Sequence, residues 1–569
     1  MNQYGPQVPE CDELHATKYR LSNESFEEAC SRQAAAMSDD DEHRSAFKHI
    51  LLNQRYMPAG RVQNAMGSPK AVTAYNCFVS GIIEDSMDSI MDKAKEAAET
   101  MRRGGGIGFD FSRIRPCHDR IVSLDSSASG PVSFMGIFDS VCKTIVSAGH
   151  RRGAMMAVLR IDHPDIEEFI RAKKDESTLR NFNISIGVTD RFMKAVANGL
   201  PFQLKFEGRV YKEINARALF DEIMRNTWDW AEPGILFIDR INADNNLYYV
   251  EEIEATNPCG EQPLPPYGAC LLGSFNLVKY TSLVNGVWVF DYKQFKEDIP
   301  NVVRAMDNVI DRTQYPLVAQ EKEAKAKRRM GLGITGLANA LTLMGLRYGS
   351  PEAIRVTRKI TKTLMCATYE ASALLAKEKG VFPLYDPEKH LQGEFIQKLP
   401  ADLKELINEH GIRNSHLTSI APTGTISFCS DNVSSGMEPV FAHEIDRTVQ
   451  TELGPTQVVL KDYVWGKYGI KSEATDDLTV DDHLNMQIAV QPFVDSAISK
   501  TINVADSVTF DEFKDVYIKA WKGKLKGVTT YRPAGKRFGV LNKIEPQEEE
   551  LNEGAACFID PLTGNKDCE

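Results

Sequence analysis

Short strand-like segments alternate with helix-like segments from about Met57 onward, and this alternation limits the possible folds more than any other feature of the sequence. The segments 184–188 and 234–238 are short apolar runs of the kind that form buried strands. A chain that alternates strands and helices builds α/β architectures, either a closed barrel or a doubly wound sheet. We therefore predict an α/β fold, and the pattern itself leaves both architectures open.

Two segments carry apolar residues at helical spacing, and each is predicted to form a helix. The first follows Asp85 and Ser86, whose side chains can cap it, and stops at Gly104. The second begins near Pro131. The apolar positions of the first helix are Met87, Ile90, Met91, Ala94, Ala97, Ala98 and Met101. Such a stripe serves either an internal core or contact with the same helices of a second subunit, and the pattern allows both.

The composition is that of a soluble globular protein, with 42% hydrophobic and 26% charged residues in a chain of 569. No apolar run approaches the roughly 18 residues that cross a membrane. The N-terminal residues lack the basic and apolar regions of a secretory signal. We therefore expect a cytoplasmic protein without a membrane anchor. A net charge of −12 argues against a general nucleic-acid binder, which needs a basic face.

Eleven cysteines are spread along the chain without a CxxC pair, so neither a zinc knuckle nor another metal site is expected. In a reducing compartment most of these thiols stay free, and a buried small side chain is the ordinary role for each. Two pairs depart from that expectation. Cys259 and Cys270 share a segment rich in proline and glycine, and Cys557 and Cys568 lie near the end of the chain.

Two glycine-rich segments could approach a ligand closely. The residues 331–336 match GxGxxG, but Lys327, Arg328 and Arg329 precede them where a dinucleotide-binding fold needs a hydrophobic strand. We therefore predict a glycine-rich turn packed closely against a helix. The segment 104–108 could cradle an anion with its backbone N–H groups or could simply end the preceding helix, and both readings stay open.

The segment 419–427 is a stronger candidate for binding phosphate, because an apolar lead-in is followed by proline, threonines and glycine. If Thr425 or Ser427 opens a helix, the free N–H groups of its first turn would face an anion. A structural turn with a hydroxyl cap is the competing interpretation.

The segment 257–270 is the most specific in the chain, since it holds two thiols, a carboxylate and an amide. Cys259 and Glu261 are two residues apart, so on an extended loop their side chains would point the same way. That arrangement would place a thiol and a general base on one side of a substrate. The alternative is a proline-rich connector with buried cysteines.

Together with other motifs, this segment resembles the large, catalytic subunit of ribonucleotide reductase. The resemblance covers almost the whole chain, and its motifs occur in the family's order. The motifs lie at 57–61 (MPAGR), 76–79 (NCFV), 104–108, 151–154, 179–186 (LRNFNISI), 257–261 (NPCGE), 331–337, 421–427 and 529–533 (TTYRP).

The resemblance implies an α/β barrel of ten strands, in two parallel five-stranded halves, with a central finger loop. It implies that Cys259 becomes a thiyl radical buried from solvent, that Glu261 is the general base and that Asn257 holds a substrate hydroxyl. Cys77 and Cys270 match the pair that reduces the substrate and ends as a disulfide. The substrate-binding residues implied are Asn76, Cys77, Gly106, Asn257, Pro258, Cys259, Gly260, Glu261, Pro422, Thr423, Gly424, Thr425 and Ile426.

The resemblance also implies a homodimer whose helices near 85–148 bind a deoxynucleoside triphosphate or ATP as specificity effector. The matching residues are Asp85, Ser86, Ile90 and Arg115. The loop 175–181 would relay the identity of the effector to the substrate site. The resemblance further implies that Cys557 and Cys568, in a C-terminal tail that contains an acidic run at 545–553, re-reduce the disulfide with a thioredoxin- or glutaredoxin-type partner.

Three domains are expected: a mainly helical segment 1–56, the barrel 57–535 and the tail 536–569. The family makes its radical in different ways, and TTYRP carries one tyrosine where a relay to a separate subunit uses two. The amino-acid sequence of residues 151–170 also resembles that of the class II branch, which implies adenosylcobalamin as cofactor. The alternatives are a class I subunit that needs a separate metal-radical subunit, and a nucleotide-sensing homologue without activity. Diphosphate and triphosphate substrates both remain open.

Overall fold

The computed structural model of the protein describes residues 3–145, 153–174, 178–451, 454–533, 535 and 542–543. The predicted tail cysteines Cys557 and Cys568 lie outside these residues, as do 151–152 and 175–177 of the predicted motifs. Among the described helices, none combines the length and the apolar surface needed to cross a bilayer.

Strands and helices alternate through the described chain, as the sequence predicts. The strands are β1 (Tyr56–Pro58), β2 (Cys77–Val79), β3 (Gly106–Asp110), β4 (Arg120–Ile121), β5 (Ser126–Ser127), β6 (Met155–Arg160), β7 (Phe182–Val188), β8 (Pro201–Phe206), β9 (Arg209–Asn215), β10 (Gly234–Phe237), β11 (Ala255–Thr256), β12 (Pro263–Leu264), β13 (Ala269–Cys270), β14 (Leu272–Asn276), β15 (Thr281–Val284), β16 (Val287–Phe290), β17 (Gly331–Thr335), β18 (Glu444–Thr451), β19 (Gly454–Lys461), β20 (Thr501–Asn503), β21 (Gly527–Tyr531) and β22 (Asn542–Lys543).

The helices begin largely where the sequence provides caps. They are α1 (Pro9–Tyr19), α2 (Phe26–Met37), α3 (Asp41–Leu52), α4 (Gly60–Ala65), α5 (Met87–Arg102), α6 (Gly130–Thr144), α7 (Ile166–Arg171), α8 (Asp190–Asn198), α9 (Ala216–Trp230), α10 (Ile238–Ala243), α11 (Tyr292–Arg312), α12 (Val318–Lys327), α13 (Leu337–Leu343), α14 (Pro351–Lys379), α15 (Pro387–Gln392), α16 (Glu394–Gln397), α17 (Ala401–His410), α18 (Gly424–Phe428), α19 (Tyr463–Tyr468), α20 (Val480–Val490) and α21 (Phe510–Lys522).

Both helices predicted from apolar spacing are present. The Ser86 hydroxyl accepts a hydrogen bond from the Ser89 N–H and so caps α5. Pro131 lies in the first turn of α6, where its missing N–H costs no hydrogen bond. Gly104 adopts a positive φ of 95° and closes the C-terminal end of α5, so the first part of 104–108 is a helix-ending turn.

One group of five neighbouring strands is entirely parallel. β2 pairs with β3, β3 with β6, β6 with β7, and β7 with β10. Antiparallel strands flank this group at both ends, β13 beside β2 and β21 beside β10. The fold is therefore of mixed α/β class, built on parallel strands that are covered by helices.

A second group of strands is joined by shorter pairings. β14 is parallel to β17, and Leu332 of β17 forms a parallel bridge with Thr418. Ile420 forms a further parallel bridge with Ile498, just before β20, which is itself parallel to β21. A small buried cluster joins residues from both groups and includes Cys77 and Cys270.

The glycine-rich segment 331–336 differs from its prediction, because it is mostly a buried strand, β17, and Gly336 is the capping residue of α13. A Cβ atom at Gly333 would lie 2.3 Å from the carbonyl oxygen of Ser419, so glycine is required there by the neighbouring segment. The rejection of a dinucleotide site holds for a simple physical reason. The glycines lie inside the strand, where their N–H groups are not free to cradle a phosphate.

Candidate functional site

The predicted reactive segment forms a short hairpin whose tip carries Cys259. Strands β11 and β12 pair antiparallel, with Thr256 opposite Pro263. In the connecting loop, the Asn257 N–H donates to the Gln262 carbonyl (3.1 Å), and the Gln262 N–H donates to Asn257 Oδ1 (2.9 Å). Gly260 takes a positive φ of 81°. The loop is therefore a tight turn, and the extended geometry expected from the spacing of Cys259 and Glu261 is wrong.

Both strand groups hold this hairpin in place. On one side, Asn183 Nδ2 of β7 donates to the Pro258 carbonyl (3.0 Å). On the other side, Ser419 Oγ and the Ala497 N–H each donate to the Glu261 carbonyl at 2.9 Å. The loop that carries Cys259 is thus fixed by hydrogen bonds immediately before and after its reactive residues.

Cys77 and Cys270 lie directly opposite each other on the paired antiparallel strands β2 and β13. Opposed residues in such a pair have Cα atoms about 4.5–5.5 Å apart, which is inside the range that a disulfide spans. Both cysteines are buried, and neither is in a disulfide. A Cβ atom at Gly106 would lie 3.1 Å from Cys77 Sγ, so the glycine leaves room for this thiol.

The surroundings of Cys270 keep its thiol protonated. Burial raises the pKa of Cys270 well above its ordinary value, and negative charge on Glu261, Cys77 or Cys259 raises it further. These four side chains therefore lie within electrostatic reach of one another. The sequence places them in two separate segments, and the fold brings them together.

A cavity of about 360 Å³, here called the thiol cavity, is bordered by Cys77, Cys259 and Glu261. All five residues of the predicted phosphate segment line it, namely Pro422, Thr423, Gly424, Thr425 and Ile426, and so does Asn76. Of the other predicted substrate residues, Asn257 is fully buried beside the turn, while Pro258 and Gly260 border a different cavity. Gly106 lies next to the Cys77 thiol.

The phosphate segment has a different local structure from the one predicted. The helix α18 begins at Gly424, and the capping position is Thr423 in a left-handed conformation (φ 55°), not Thr425 or Ser427. The Thr423 hydroxyl shares a hydrogen bond with Thr335 Oγ1 (2.9 Å) and accepts one from the Gly436 N–H (2.7 Å). This hydroxyl therefore supports the turn, and an anion would meet the backbone of the first turn instead.

A second cavity of about 410 Å³, here called the strand cavity, also borders Cys259. Residues of β6, β7, β10, β20 and β21 line it, together with Pro258 and Gly260 from the hairpin. No heavy atom lies within 4 Å of a Cβ built at Gly260, so the backbone at this point is open. Cys259 itself is exposed, which corrects the expectation of a buried thiol, because the tip of the hairpin projects between the two cavities.

Four residues of the site were not singled out by sequence reasoning. Lys18 and Arg61 line the thiol cavity and bring positive charge to it. Asn183 and Ser419 fix the backbone beside Cys259. Arg61 and Asn183 lie inside motifs that carry the resemblance, but only the folded structure shows what their side chains contact.

The predicted effector residues are only partly brought together. The Asp85 carboxylate forms a salt bridge with Arg115 and also accepts the Arg115 N–H (3.1 Å). Ser86 caps α5 beside them. Ile90 is 2% exposed and packs in the chain's own core. Most of the apolar stripe of α5 is buried in the same way, and Met87 and Met91 remain exposed.

Asn181, at the end of the predicted relay loop, contacts α6. Its backbone N–H and side-chain amide both donate to Asp139 Oδ1, at 3.0 and 3.2 Å.

Within the part of the chain that the structure describes, no three His, Cys, Asp or Glu side chains are arranged to hold a metal ion.

Comparison with known proteins adds independent information. A family model described as "Ribonucleotide reductase, barrel domain" matches residues 75–531. A vitamin B12-dependent ribonucleoside-diphosphate reductase of Mycobacterium tuberculosis is 36% identical over 553 residues, which cover 91% of this chain and 77% of the relative. A similarly named protein of Thermoplasma acidophilum is 36% identical and covers 89% of this chain and 68% of the relative. A vitamin B12-dependent ribonucleotide reductase of Streptomyces coelicolor is 30% identical, covering 86% and 59%.

Proposed function

This chain belongs to the ribonucleotide reductase family and is a cobalamin-dependent enzyme that reduces ribonucleotides to 2′-deoxyribonucleotides, and from this premise we propose roles for its individual residues. Cys259 carries the thiyl radical, Glu261 is the general base, and Cys77 with Cys270 supplies two electrons. The observation that carries this assignment is that Cys77, Cys259 and Glu261 border one cavity, with Cys270 buried directly opposite Cys77.

We propose that the two strand groups form one closed ten-stranded barrel around the hairpin. Two features support closure. β10 and β21 pair antiparallel where the groups meet. At the other junction only Leu271 separates β13, which pairs with β2, from β14, which pairs with β17. The hairpin 255–264 is then the finger loop, because residues of both groups hold its tip.

The proposed chemistry begins when the Cys259 radical takes the 3′-hydrogen atom of the ribose. Glu261 accepts the proton of the 3′-hydroxyl, and the 2′-hydroxyl leaves as water with a proton from the reducing pair. Cys77 and Cys270 give up two hydrogen equivalents in total, and a disulfide forms between them. The other hydrogen of the pair goes to C2′, Glu261 returns its proton to the 3′-oxygen, and the 3′-hydrogen returns from Cys259 to C3′, so the radical is regenerated and both atoms and electrons balance.

Two buried polar atoms support this placement of the ribose, one on Asn76, which lines the thiol cavity, and one on Asn257 in the turn that carries Cys259. Asn257 Nδ2 and Asn76 Oδ1 have no hydrogen-bond partner among the described residues. Leaving a buried polar group unpaired costs about 1–3 kcal/mol, so both atoms are suited to pair with substrate hydroxyl groups. The Asn257 side-chain oxygen already accepts from Gln262 and therefore fixes which end of the amide faces the substrate.

The substrate phosphates are proposed to lie against 422–426. Lys18 and Arg61 line the same cavity and supply the positive charge that a polyphosphate requires. The relatives with 36% identity are named as diphosphate reductases. We therefore expect a ribonucleoside diphosphate as substrate.

The strand cavity fits the adenosyl end of the cofactor. Its volume of about 410 Å³ lies within the usual range for small-molecule sites, and the open backbone at Gly260 permits close approach to Cys259. When bound, adenosylcobalamin supplies the organic radical that removes the hydrogen atom from the Cys259 thiol. The protein's part is to hold Cys259, through Asn183 and the Pro258 carbonyl, at the border of both cavities.

Regulation and turnover remain proposals. A nucleoside triphosphate bound near Asp85, Ser86 and Arg115 would act at the interface of a homodimer, with the exposed Met87 and Met91 of α5 as contacts. The Asp139–Asn181 contact would link α6 to the relay loop. Cys557 and Cys568 would pass electrons from a thioredoxin- or glutaredoxin-type reductant. The division into 1–56, 57–535 and 536–569, and the cytoplasm as its location, are proposed likewise.

A reduction assay of this chain alone, with each nucleoside diphosphate and triphosphate, tests the proposal. We expect deoxynucleotide formation only when adenosylcobalamin is added. If activity instead required a second, metal-radical subunit, the class I alternative would be correct. If no product formed under any of these conditions, the nucleotide-sensing alternative would replace the proposed chemistry.

A further inference from the structure

A third cavity lies apart from the catalytic residues, and here it is called the lysine cavity. Its volume is about 800 Å³, and it shares no lining residue with the thiol cavity or the strand cavity. Its walls come from the N-terminal segment before α1, the turn at Asp431 and the start of α19. Lys279, Lys461 and Lys467 are the lysines that line it.

The positive charge of this cavity is poorly balanced. Among the described residues, the Lys279 ammonium group forms no hydrogen bond or ion pair and lies 5.5 Å from the centre of the Tyr463 ring. Lys467 Nζ donates to Tyr463 OH (3.0 Å), so two ammonium groups lie beside one ring. Burial and the charge of Lys467 lower the pKa of Lys279 to about 8.

The negative groups nearby are already engaged. Asp431 Oδ1 accepts the N–H groups of Gln7 (2.7 Å) and Val8 (2.9 Å) and so holds the N-terminal segment against the cavity. Asp462 caps α19 by accepting from two backbone N–H groups. Lys461 is 3.7 Å from Glu444, in a pair whose side chains are both exposed, and such pairs are weak. Three lysines and two aspartates therefore line the cavity, an excess of one positive charge, and the charge of Asp431 only partly offsets that of Lys279.

The C-terminal part of the chain passes beside this cavity. β22 pairs antiparallel with β18, with Lys543 opposite Ile445. On the other edge of β18, Glu444 is opposite Lys461 of β19. Because neighbouring strands lie about 5 Å apart, the backbone of Lys543 lies roughly 10 Å from that of Lys461, which lines the lysine cavity. Three or four extended residues cover that distance, since each spans about 3.3 Å.

The sequence that follows β22 has the complementary charge. Residues 545–553 read EPQEEELNE and contain five glutamates with one leucine. We propose that this acidic segment docks in the lysine cavity, with glutamates on Lys279 and Lys467 and with Leu551 against the apolar part of the wall. The docking itself is independent of the proposed function. Its consequence rests on that function, because it gives Cys557 and Cys568 a fixed point from which to reach the active site.

Zero-length carbodiimide cross-linking of the full chain, followed by mass spectrometry, tests the docking directly. We expect cross-links between glutamates of 545–553 and Lys279, Lys461 or Lys467 at low ionic strength. Because the contact is electrostatic and only partly buried, their yield should fall at least about fivefold near 1 M salt, where the Debye length is about 3 Å. Exposed Lys293, which lies outside the cavity, serves as the reference lysine.

A charge-reversal pair makes the test specific. The double variant Lys279→Glu, Lys467→Glu should lose the cross-links. Adding Glu549→Lys and Glu550→Lys to it should restore cross-linking, now between lysines of the tail and glutamates of the cavity. Absence of these cross-links in the wild-type chain, or cross-linking of the acidic segment to a different surface, would overturn the proposal. Binding of inorganic pyrophosphate in the cavity with no cross-link to the tail would likewise assign the cavity to a small anion instead. The readout needs no turnover, so its failure is distinguishable from failure of the reductase assignment.

Discussion

The thiol cavity and the strand cavity share Cys259 and Pro422 but differ in the other reactive side chains that line them. The thiol cavity is bordered by Cys77, Glu261 and the partnerless side-chain oxygen of Asn76, and the buried Cys270 lies opposite Cys77. In the strand cavity, Glu232 is paired with Lys173 (2.7 Å) and Lys500 with Glu438 (2.5 Å). The first cavity combines two thiols with a carboxylate, which suits the exchange of protons and electrons with a polar substrate, whereas Cys259 is the one thiol among the residues that line the second.

The largest expected effect is the loss of nucleotide reduction when the Cys259 thiol, which borders both cavities, is removed. Cys259→Ser should lower nucleotide reduction by at least about a thousandfold, the scale seen when a group that acts in the reaction is removed. An oxygen-centred radical on serine is much harder to form than a thiyl radical. Effector binding should be unchanged. Product analysis by chromatography checks the prediction, and sustained turnover by the variant would remove Cys259 from the radical role.

The next largest effect concerns re-reduction of the disulfide between Cys77 and Cys270, which we propose depends on the tail cysteines Cys557 and Cys568. Cys557→Ser with Cys568→Ser should stop multiple turnover with a thioredoxin-type reductant. Turnover with a small dithiol should largely survive, because such a reagent can enter the cavity and attack the disulfide itself. Rates with the two reductants provide the measurement. If the double variant works normally with the protein reductant, the tail cysteines have no part in the cycle.

Alkylation rates should distinguish Cys259, at the tip of the hairpin, from the buried Cys270. Cys259 is exposed, whereas Cys270 is buried with a raised pKa. A raised pKa leaves less thiolate at a given pH, and only the thiolate reacts. At about pH 8, iodoacetamide should therefore modify Cys259 at least about tenfold faster than Cys270 in the native protein. Peptide mapping measures both rates, and comparable rates before unfolding would contradict the geometry.

Asn183 offers a test of how the strand cavity positions the radical residue. Asn183→Ala removes the hydrogen bond to the Pro258 carbonyl, which is worth about 1 kcal/mol. We expect kcat to fall about fivefold to tenfold while KM for the nucleotide stays the same, and Asn183→Gln to recover part of the loss. Asn198→Ala, at an exposed helix end, is the matched control. A change in KM alone would make Asn183 a substrate contact instead.

The smallest expected effect is a pH-dependent change in stability at Asp110, which is near the start of the hairpin and lines neither cavity. Burial and the neighbouring Glu254 raise the pKa of Asp110 from its ordinary 3.8 to about 7. Its contribution to stability is then complete below about pH 4 and is lost as the pH rises through about 7. Asp110→Asn should raise the melting temperature by a few degrees at about pH 8 and leave it unchanged near pH 4. The exposed Asp92→Asn controls for the loss of one charge, and an equal shift at both pH values would refute the titration.

Sequence reasoning succeeded where the determining contacts are local. Ser86 and Pro131 mark the starts of their helices in any surroundings, and strand–helix alternation gives the fold class. It failed where distant segments decide the structure. The segment around Gly333 is a strand and not a turn, and the Ser419 carbonyl leaves no room there for a side chain. No spacing rule would reveal that Cys77 faces Cys270 across two strands, and only the family resemblance indicated it.

The most direct test of the division between the cavities is a single turnover by the pre-reduced full chain with adenosylcobalamin, a nucleotide and no external reductant. The Cys557→Ser, Cys568→Ser variant removes the tail as an electron source. We predict one deoxynucleotide per chain, a disulfide between Cys77 and Cys270, and a Cys259 that iodoacetamide still modifies. Product formed while Cys77 and Cys270 both remain reduced, or a disulfide that includes Cys259, would contradict the account.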